Sequence, residues 1–396
     1  MKFYIQMGHG MQKICRVLST EWNGATVITN PQNVKQEKLP EFAKIIRATK
    51  GTVLFDPQWY TPRKFHKNIS QYDYWPETGI TKLENGDYEL LIKKLAQLNN
   101  SIESESFILP SPLTGSPDAI WNRCQTAAIN EARKHSVLPL LHTIALKSSG
   151  FENDITVEQI IQFVKTWDVE GIYLVCEHPV RTYLVDNPLW LANLLALVAG
   201  IKRLEKKVIV GYANHQMLCL SLAKCDALAS GNFLNVRWFQ PEHFETIEND
   251  EISRRAKWYY CPQTLSEYKV SFLDVALGIG KLRLLKPSSG LENKFSDMLF
   301  SGALPSSTNY TETDSHCHYL HSLRLQCQMA TKASYNETKN YYSIFLETAG
   351  KLLSGLRNDG IRGQNRDFGE IVDFNHAAIS LFDKNYGFVM SQEWNK

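Results

Sequence analysis

Eight short apolar runs, each trailed by a helix-like stretch, limit what this chain can fold into. They read FYIQMG (3–8), TVITN (26–30), TVLFD (52–56), SFILPSP (106–112), VLPLLHTIAL (137–146), GIYLVCEH (171–178), KVIVGYAN (207–214) and DALASGN (226–232). Strands rich in Val, Ile and Leu on both faces need cover on both sides, and a parallel sheet wrapped in helices supplies it. The helical patterns lie between them: EKLPEFAKIIRATK, YELLIKKLAQLNN, DAIWNRCQTAAINEARKHS, TVEQIIQFVKTW and LWLANLLALVAGIKRLEK. Eight β–α alternations within roughly 240 residues predict a closed (β/α)8 barrel of the TIM type over 1–245. A doubly wound open sheet is the competitor. It usually has fewer strands and often a glycine-rich phosphate loop, and neither G-x-G-x-x-G nor G-x-x-x-x-G-K-[ST] occurs here.

Beyond about residue 250 the rhythm changes. TLSEYKVSFLDVALGIGKLRLL, DSHCHYLHSLRLQCQMATK, NETKNYYSIFLETAGKLLSGLRNDG and DFNHAAISLFDKNYGFVMSQEW all carry apolar residues near helical spacing. Region 246–396 is therefore expected to be an α-helical C-terminal extension docked on the barrel. A chain of 396 residues with 43% hydrophobic content has room for both parts. A net charge of +2 neither demands nor excludes a nucleic acid, because a basic patch can sit on a neutral protein. The opening MKFYIQMGHGMQ is too short in its apolar part for a signal peptide. The most apolar stretch, PLWLANLLALVAGI, is shorter than the roughly 20 residues of a membrane span and reads as a buried helix. Eight cysteines without a C-x-x-C pair suggest reduced thiols. The expectation is a cytoplasmic protein with no membrane partner.

In a barrel of this kind, chemistry gathers at the C-terminal ends of the strands. Asp56 is the most telling residue there. An acid ending the apolar run TVLFD costs several kcal/mol to bury unless it is paired or used, and burial tunes such a group as base or nucleophile. The local alternative is a cap on the turn before Pro57. Glu177 is the second acid at a strand tip, with the turn EHP as its local explanation. His9, Asn30, Gln58, Tyr60, Lys147, His178, Asn214, Gln216 and Asn232 complete a candidate substrate-binding ring. The amides of Asn214 and Gln216 suit the edge of a planar heterocycle, or equally the barrel rim. Arg237 suits a phosphate. Arg254, Arg255 and Lys257, in RRAKWYYCPQ, mix cations with aromatics as a nucleic-acid backbone contact does, and as a solvated flank also does. The run QYDYWPETG after the third strand is either an aromatic lid or a loop packed by its own side chains. HCHYLHSLRLQC gathers His316, Cys317, His318, His321 and Cys327 on a helix, but lacks the tight paired spacing of structural zinc sites. No metal and no cofactor is assigned.

The strand-tip pattern resembles the tRNA-guanine transglycosylase superfamily, including its deazaguanine DNA-modifying branch. That family carries L-x-D-S-G-G-[FY]-Q on its third strand, and LFDPQWY places Asp56 at the acid, with Trp59 and Tyr60 as aromatics. VITNP is similar to the family's second-strand region through Asn30. VIVGYANHQ and LAKCDALASGNFLNVR are similar to two later stretches. The resemblance implies a barrel that exchanges a base in tRNA or DNA, with Asp56 as catalytic acid or base and Arg237 near the nucleic-acid backbone. Three features depart from the family. Ala229 and Ser230 stand where its nucleophilic aspartate falls, Pro57 and Gln58 replace its glycines, and its C-x-C-x-x-C zinc motif is absent. Either Asp56 or Glu177 then serves as nucleophile, or the protein binds without exchanging. Two other readings remain: a barrel glycoside hydrolase using Asp56 and Glu177 as its carboxylate pair, and a non-catalytic barrel that binds nucleic acid or a protein partner in a larger complex.

Overall fold

The structure is a computed structural model and describes residues 1–62, 68–75, 86–151, 153–179, 182–244 and 256–395. Strict side-chain alternation builds the barrel. Along β5 (Leu140–Leu146) Leu141 and Ala145 face inward, while Leu140, Ile144 and Leu146 pack outward beneath the helices. The same parity runs through β1 (Lys2–Gln6), β2 (Thr26–Thr29), β3 (Thr52–Phe55), β4 (Phe107–Leu109), β6 (Gly171–Cys176), β7 (Lys207–Val210) and β8 (Ala227–Ser230). Ile28, Leu54, Ile108, Tyr173, Val175, Ile209, Ala227 and Ala229 join the inner core. All eight strands are parallel, in the order β3-β2-β1-β8-β7-β6-β5-β4. The seam falls between β3 and β4, where the Glu105 N–H donates to the Val53 carbonyl at 3.0 Å and the Ser104 hydroxyl donates to it at 3.1 Å. The fold is a TIM-type (β/α)8 barrel, as the strand count predicts.

Six helices follow the first six strands: α1 (Gln12–Glu21), α2 (Leu39–Arg47), α3 (Glu89–Ser101), α4 (Ala119–His135), α5 (Asp154–Thr166) and α6 (Pro188–Arg203). Asp118, Asn153 and Asn187 cap α4, α5 and α6 with side-chain oxygens, satisfying backbone N–H groups at those helix starts. The apolar helix α6 is buried throughout Trp190–Ile201, against α5 on one side and a C-terminal helix on the other. The β7–β8 crossover is a wholly buried 3-10 helix, His215–Ala223.

The expected boundary near 245 lies outside the described residues. Beyond it the chain is not helical at once. Trp258–Cys261 (β9) and Ser266–Lys269 (β10) pair as an antiparallel hairpin, and only then does α7 (Val270–Gly278) begin. The single helix expected from TLSEYKVSFLDVALGIGKLRLL is thus corrected. Its first part, Ser266–Lys269, is drawn into a strand by pairing with Trp258–Cys261, and Leu265 takes a left-handed turn (φ 51°) between the strands. The three long helices stand as expected: α8 (Glu312–Ala330), α9 (Tyr335–Asn358) and α10 (Val372–Trp394).

Helix α8 serves the barrel itself. It lies over β1, between α1 and the His215–Ala223 segment, in the place an eighth barrel helix would occupy. Cys317, Leu320, Leu323 and Cys327 belong to the same core cluster as Ile5 and Leu18. The Trp22 indole N–H donates to His321 across that contact at 3.0 Å. Among the described residues no helix is long and apolar enough to cross a membrane.

A chain ending at residue 244 would bare the apolar outer face of β1 and the buried His215–Ala223 segment. We expect it to show no cooperative thermal transition and to aggregate. A cooperative melt with native near-ultraviolet circular dichroism would contradict the role given to α8.

Candidate functional site

Asp56 is the next residue after β3 and keeps the strand's parity with the inward Leu54, so its carboxylate points into the top of the barrel. There it is 1% exposed and densely bonded. Oδ1 accepts from the Gln58 backbone N–H and the Tyr60 hydroxyl, both at 2.9 Å. Oδ2 accepts from Tyr60 at 2.8 Å, Tyr212 at 2.9 Å, Tyr173 at 3.3 Å and the Gln6 amide at 3.5 Å. Tyr173 also donates to Gln6 Oε1 at 2.9 Å, and Gln58 Nε2 donates to the Tyr212 oxygen at 2.9 Å. The three phenols are pushed well above their ordinary pKa by burial first and by the Asp56 charge second, so they remain donors.

Three backbone devices bring this cradle together. Gln58 and Tyr212 both sit in the left-handed region, at φ 52° and 51°. Such conformations are costly for side-chain-bearing residues and are held only where surrounding structure determines them. At Tyr212 the left-handed turn breaks the strand's alternation, so the ring joins the inner core beside Tyr60 and Phe239. Gly211 supplies the space: a Cβ there would stand 2.3 Å from the Tyr173 hydroxyl.

Burial raises the Asp56 pKa from 3.8 to about 6, against the opposing pull of the Gln58 N–H and the Tyr60, Tyr212 and Tyr173 hydroxyls. A carboxyl poised near neutrality can exchange a proton as a general acid or base, and its ionised form can stabilise developing positive charge. The mouth above it is covered. Phe239 and Phe244, from the segment after β8, stack edge-on against Tyr60 and Tyr212 at centroid distances of 5.0–5.7 Å.

The other candidate residues divide by location. Gln58 and Tyr60 share the Asp56 cradle. Glu177 makes none of the hydrogen bonds to Asp56; its Oε2 accepts from the Ser148 backbone N–H at 2.9 Å, in the segment after β5 and not in its own EHP turn. His178 is buried against Trp190 and Trp238, its pKa lowered to about 4 by desolvation, with Nδ1 on the Thr182 carbonyl. Asn30 donates to the Met7 carbonyl at 2.7 Å. Asn214 donates to the Tyr183 carbonyl, and Gln216 pairs with both the N–H and the C=O of Val185, so both amides hold the 182–186 segment instead of a ligand edge. His9 and Lys147 are exposed at the rim. Lys257 is exposed, while Arg254 and Arg255 lie outside the described residues. Of the aromatics beside them, Tyr259 and Tyr260 are buried in β9, and Trp258 is half-buried with Arg366 over its ring. Tyr72, Tyr74 and Trp75, read as either a lid or a loop packed by its own side chains, are buried in their own packing against Phe55 and Trp59, and the remainder of that run lies outside the described residues.

Arg237, expected to face a phosphate backbone, is instead buried at 3% side-chain exposure. Its Nη1 donates to Glu267 Oε2 at 2.9 Å, and its guanidinium lies 3.5 Å from the Tyr319 ring centroid. Arg366 Nη1 donates to the same Glu267 oxygen at 2.9 Å. Burial alone would raise the Glu267 pKa, but Arg366 and Arg237 hold it down at about 2. Asn232 and the three members of this triad line one cavity of about 280 Å³ beside the β8 tip.

The helix histidines and cysteines are each used singly. His318 lies between the Asn293 side chain and the Tyr260 carbonyl, and His321 accepts from Trp22. Cys317 and Cys327 are core residues. Among the described residues no three metal-ligating side chains converge. Sequence reasoning missed Gln6, Tyr173, Tyr212, Glu267 and Arg366. Tyr173 and Gln6 carried a signal, since each is polar at an inward position of its strand. Glu267 and Arg366 are remote in sequence and carried none.

No protein-family model matches the chain, and no curated protein matches it. Similar solved structures include dihydrodipicolinate synthase from Acinetobacter baumannii complexed with pyruvate, at 12% identity and TM-score 0.34, covering 58% of this chain and 69% of that one. A GH10 xylanase from Bispora sp. MEY-1 with xylobiose has 13% identity and TM-score 0.36, covering 58% and 83%. A pyruvate carboxylase from Rhizobium etli has 7% identity and TM-score 0.33, covering 96% of this chain and 46% of that chain. None of these three is a tRNA-guanine transglycosylase. Scores this low carry no argument about activity, and the barrel class rests on strand order and register.

Two outcomes follow for the cradle. Gly211→Ala should cost about 1–3 kcal/mol, because the Tyr173 ring must shift; a urea midpoint equal to wild type would contradict the packing. A raised folded pKa favours the protonated form. The Asp56 contribution is therefore full below 3.8 and lost as pH rises through about 6. The loss is at most about 3 kcal/mol. Asp56→Asn should remove that part of the pH dependence of the urea midpoint, and an unchanged profile would contradict the assignment.

Proposed function

We propose that this barrel is a transglycosylase-like enzyme acting on a nucleobase in tRNA or DNA, with Asp56 as the reacting carboxylate. The observation that carries the reading is one buried acid, raised to about 6, at the C-terminal tip of a barrel strand inside a ring of three phenols. The match of LFDPQWY to the superfamily's third-strand motif supports the same residue. In the step this implies, the bond from the sugar's anomeric carbon to the departing base breaks. The electron pair leaves with the base, which takes up a proton from solvent. The ionised Asp56 stabilises the oxocarbenium-like carbon or bonds to it until the incoming base replaces it and returns a proton to solvent. Tyr60 and Tyr212 hold the carboxylate in place, and Phe239 and Phe244 must yield for a substrate to reach it.

A paired-carboxylate glycoside hydrolase is less well supported, because Glu177 is engaged with Ser148. The covered mouth favours a second reading, a non-catalytic barrel in which the cradle only sets structure. Incorporation of labelled guanine into tRNA and into DNA separates the two. The enzyme reading predicts incorporation by wild type and a loss of at least about 100-fold in Asp56→Asn, with a cooperative melt retained. No incorporation by wild type, or full activity in Asp56→Asn, would overturn it.

A further inference from the structure

We infer that the cavity beside the β8 tip is a binding site for a small oxyanion-bearing ligand, its phosphoryl or carboxylate group held by Arg237 and Arg366. Two guanidinium groups meet one carboxylate there, and all three are buried or nearly so, with side-chain exposures of 3%, 15% and 2% for Arg237, Arg366 and Glu267. The triad therefore carries one uncompensated positive charge. Such a charge is costly away from water unless an anion meets it. The nearest other acid in the sequence, Asp367, is taken by Arg357 at 3.2 Å. Glu312 lines the cavity from its exposed rim.

Donors outnumber acceptors in the cluster. Arg237 spends Nε on the Gly231 carbonyl and Nη1 on Glu267, and Arg366 spends Nη1 on Glu267 while its Nε has no partner. Asn232, 4% exposed, donates to the His9 carbonyl; its unpartnered Oδ1 is an acceptor and takes no part in holding an anion. His215, behind the triad, has its pKa lowered to about 4 by burial and adds no charge near neutrality.

The site is built. Arg366 lies 3.9 Å from the Trp258 ring centroid, and Arg237 lies on Tyr319, so each guanidinium plane is fixed by a ring. The turn that presents Arg366 passes so close to β10 that a Cβ on Gly363 would stand 2.9 Å from the Asp367 Cα and 3.0 Å from the Glu267 carbonyl. The cavity volume of about 280 Å³ suits a small molecule and not a strand laid along a surface. Ser315 and His316 of α8 also line it, while the start of that helix is already closed by the Thr311–Asp314 capping box.

The inference goes beyond the base-exchange reading and does not depend on Asp56. The test is the thermal melt of the full chain in inorganic phosphate and in succinate, each against chloride at matched ionic strength. A bound anion raises the melting temperature in proportion to the logarithm of its concentration above Kd. Wild type and Asp56→Asn should both respond, and Arg366→Gln should lose the response, whereas general salting effects would persist in it. A response to phosphate alone assigns a phosphoryl group, and to succinate alone a carboxylate. Should Arg366→Gln fail to melt cooperatively, Arg366→Lys serves instead, with the anion response weakened several-fold because a point charge cannot reproduce the planar two-donor contact. No response to either anion in wild type, an equal response in Arg366→Gln, or an unchanged response in Arg366→Lys would overturn the inference.

Discussion

The carboxylate of Asp56 is the point on which the top of the barrel turns. It is buried, burial raises its pKa to about 6, and Tyr60, Tyr173, Tyr212, Gln6 and the Gln58 backbone N–H all donate to it. Gln58 and Tyr212 accept left-handed backbone to reach it, and Gly211 forgoes a side chain so that Tyr173 can. A core built only for stability would place an aliphatic residue here, as the layers below do with Leu54, Ile108 and Ile209. Replacing one buried polar group while leaving its partners strands their hydroxyls, so the cradle stands or falls as a set.

The second half of the chain is bound into the first by two different kinds of contact. One is apolar: α8 covers β1 and completes the helical ring. The other is ionic: Glu267 of the hairpin and Arg366 of the turn before α10 meet Arg237 just beyond β8. Burying that triad is costly unless its geometry is tight, and Gly363 and the Tyr319 and Trp258 rings provide the tightness. The C-terminal region is thus both the wall that closes the barrel and one side of the cavity at its rim.

Strand count and the strand-tip acid were legible because short continuous apolar runs mark strands buried on both faces. TVLFD ends one such run on an acid, and eight such runs announce the barrel. The hairpin at 258–269 was not legible as such. Its strands are short, and the apolar run after them reads as helix through the whole stretch. Tyr212 escaped notice because its left-handed backbone places it against the alternation that sequence reading relies on. Glu267 and Arg366 escaped for another reason, since a partner 30 or 99 residues away leaves no local pattern. Asn214 and Gln216 looked like ligand readers, yet an amide's donor and acceptor serve a backbone loop equally well.

The most direct test is the titration of Asp56 itself, read as the carboxyl carbon shift in a 13C-labelled chain across the acid range. The expected result is one carboxyl titrating near about pH 6 that disappears in Asp56→Asn. If every carboxyl resonance instead titrates below about pH 5, in the ordinary carboxylate range, Asp56 is not the buried, tuned acid on which the top of the barrel depends.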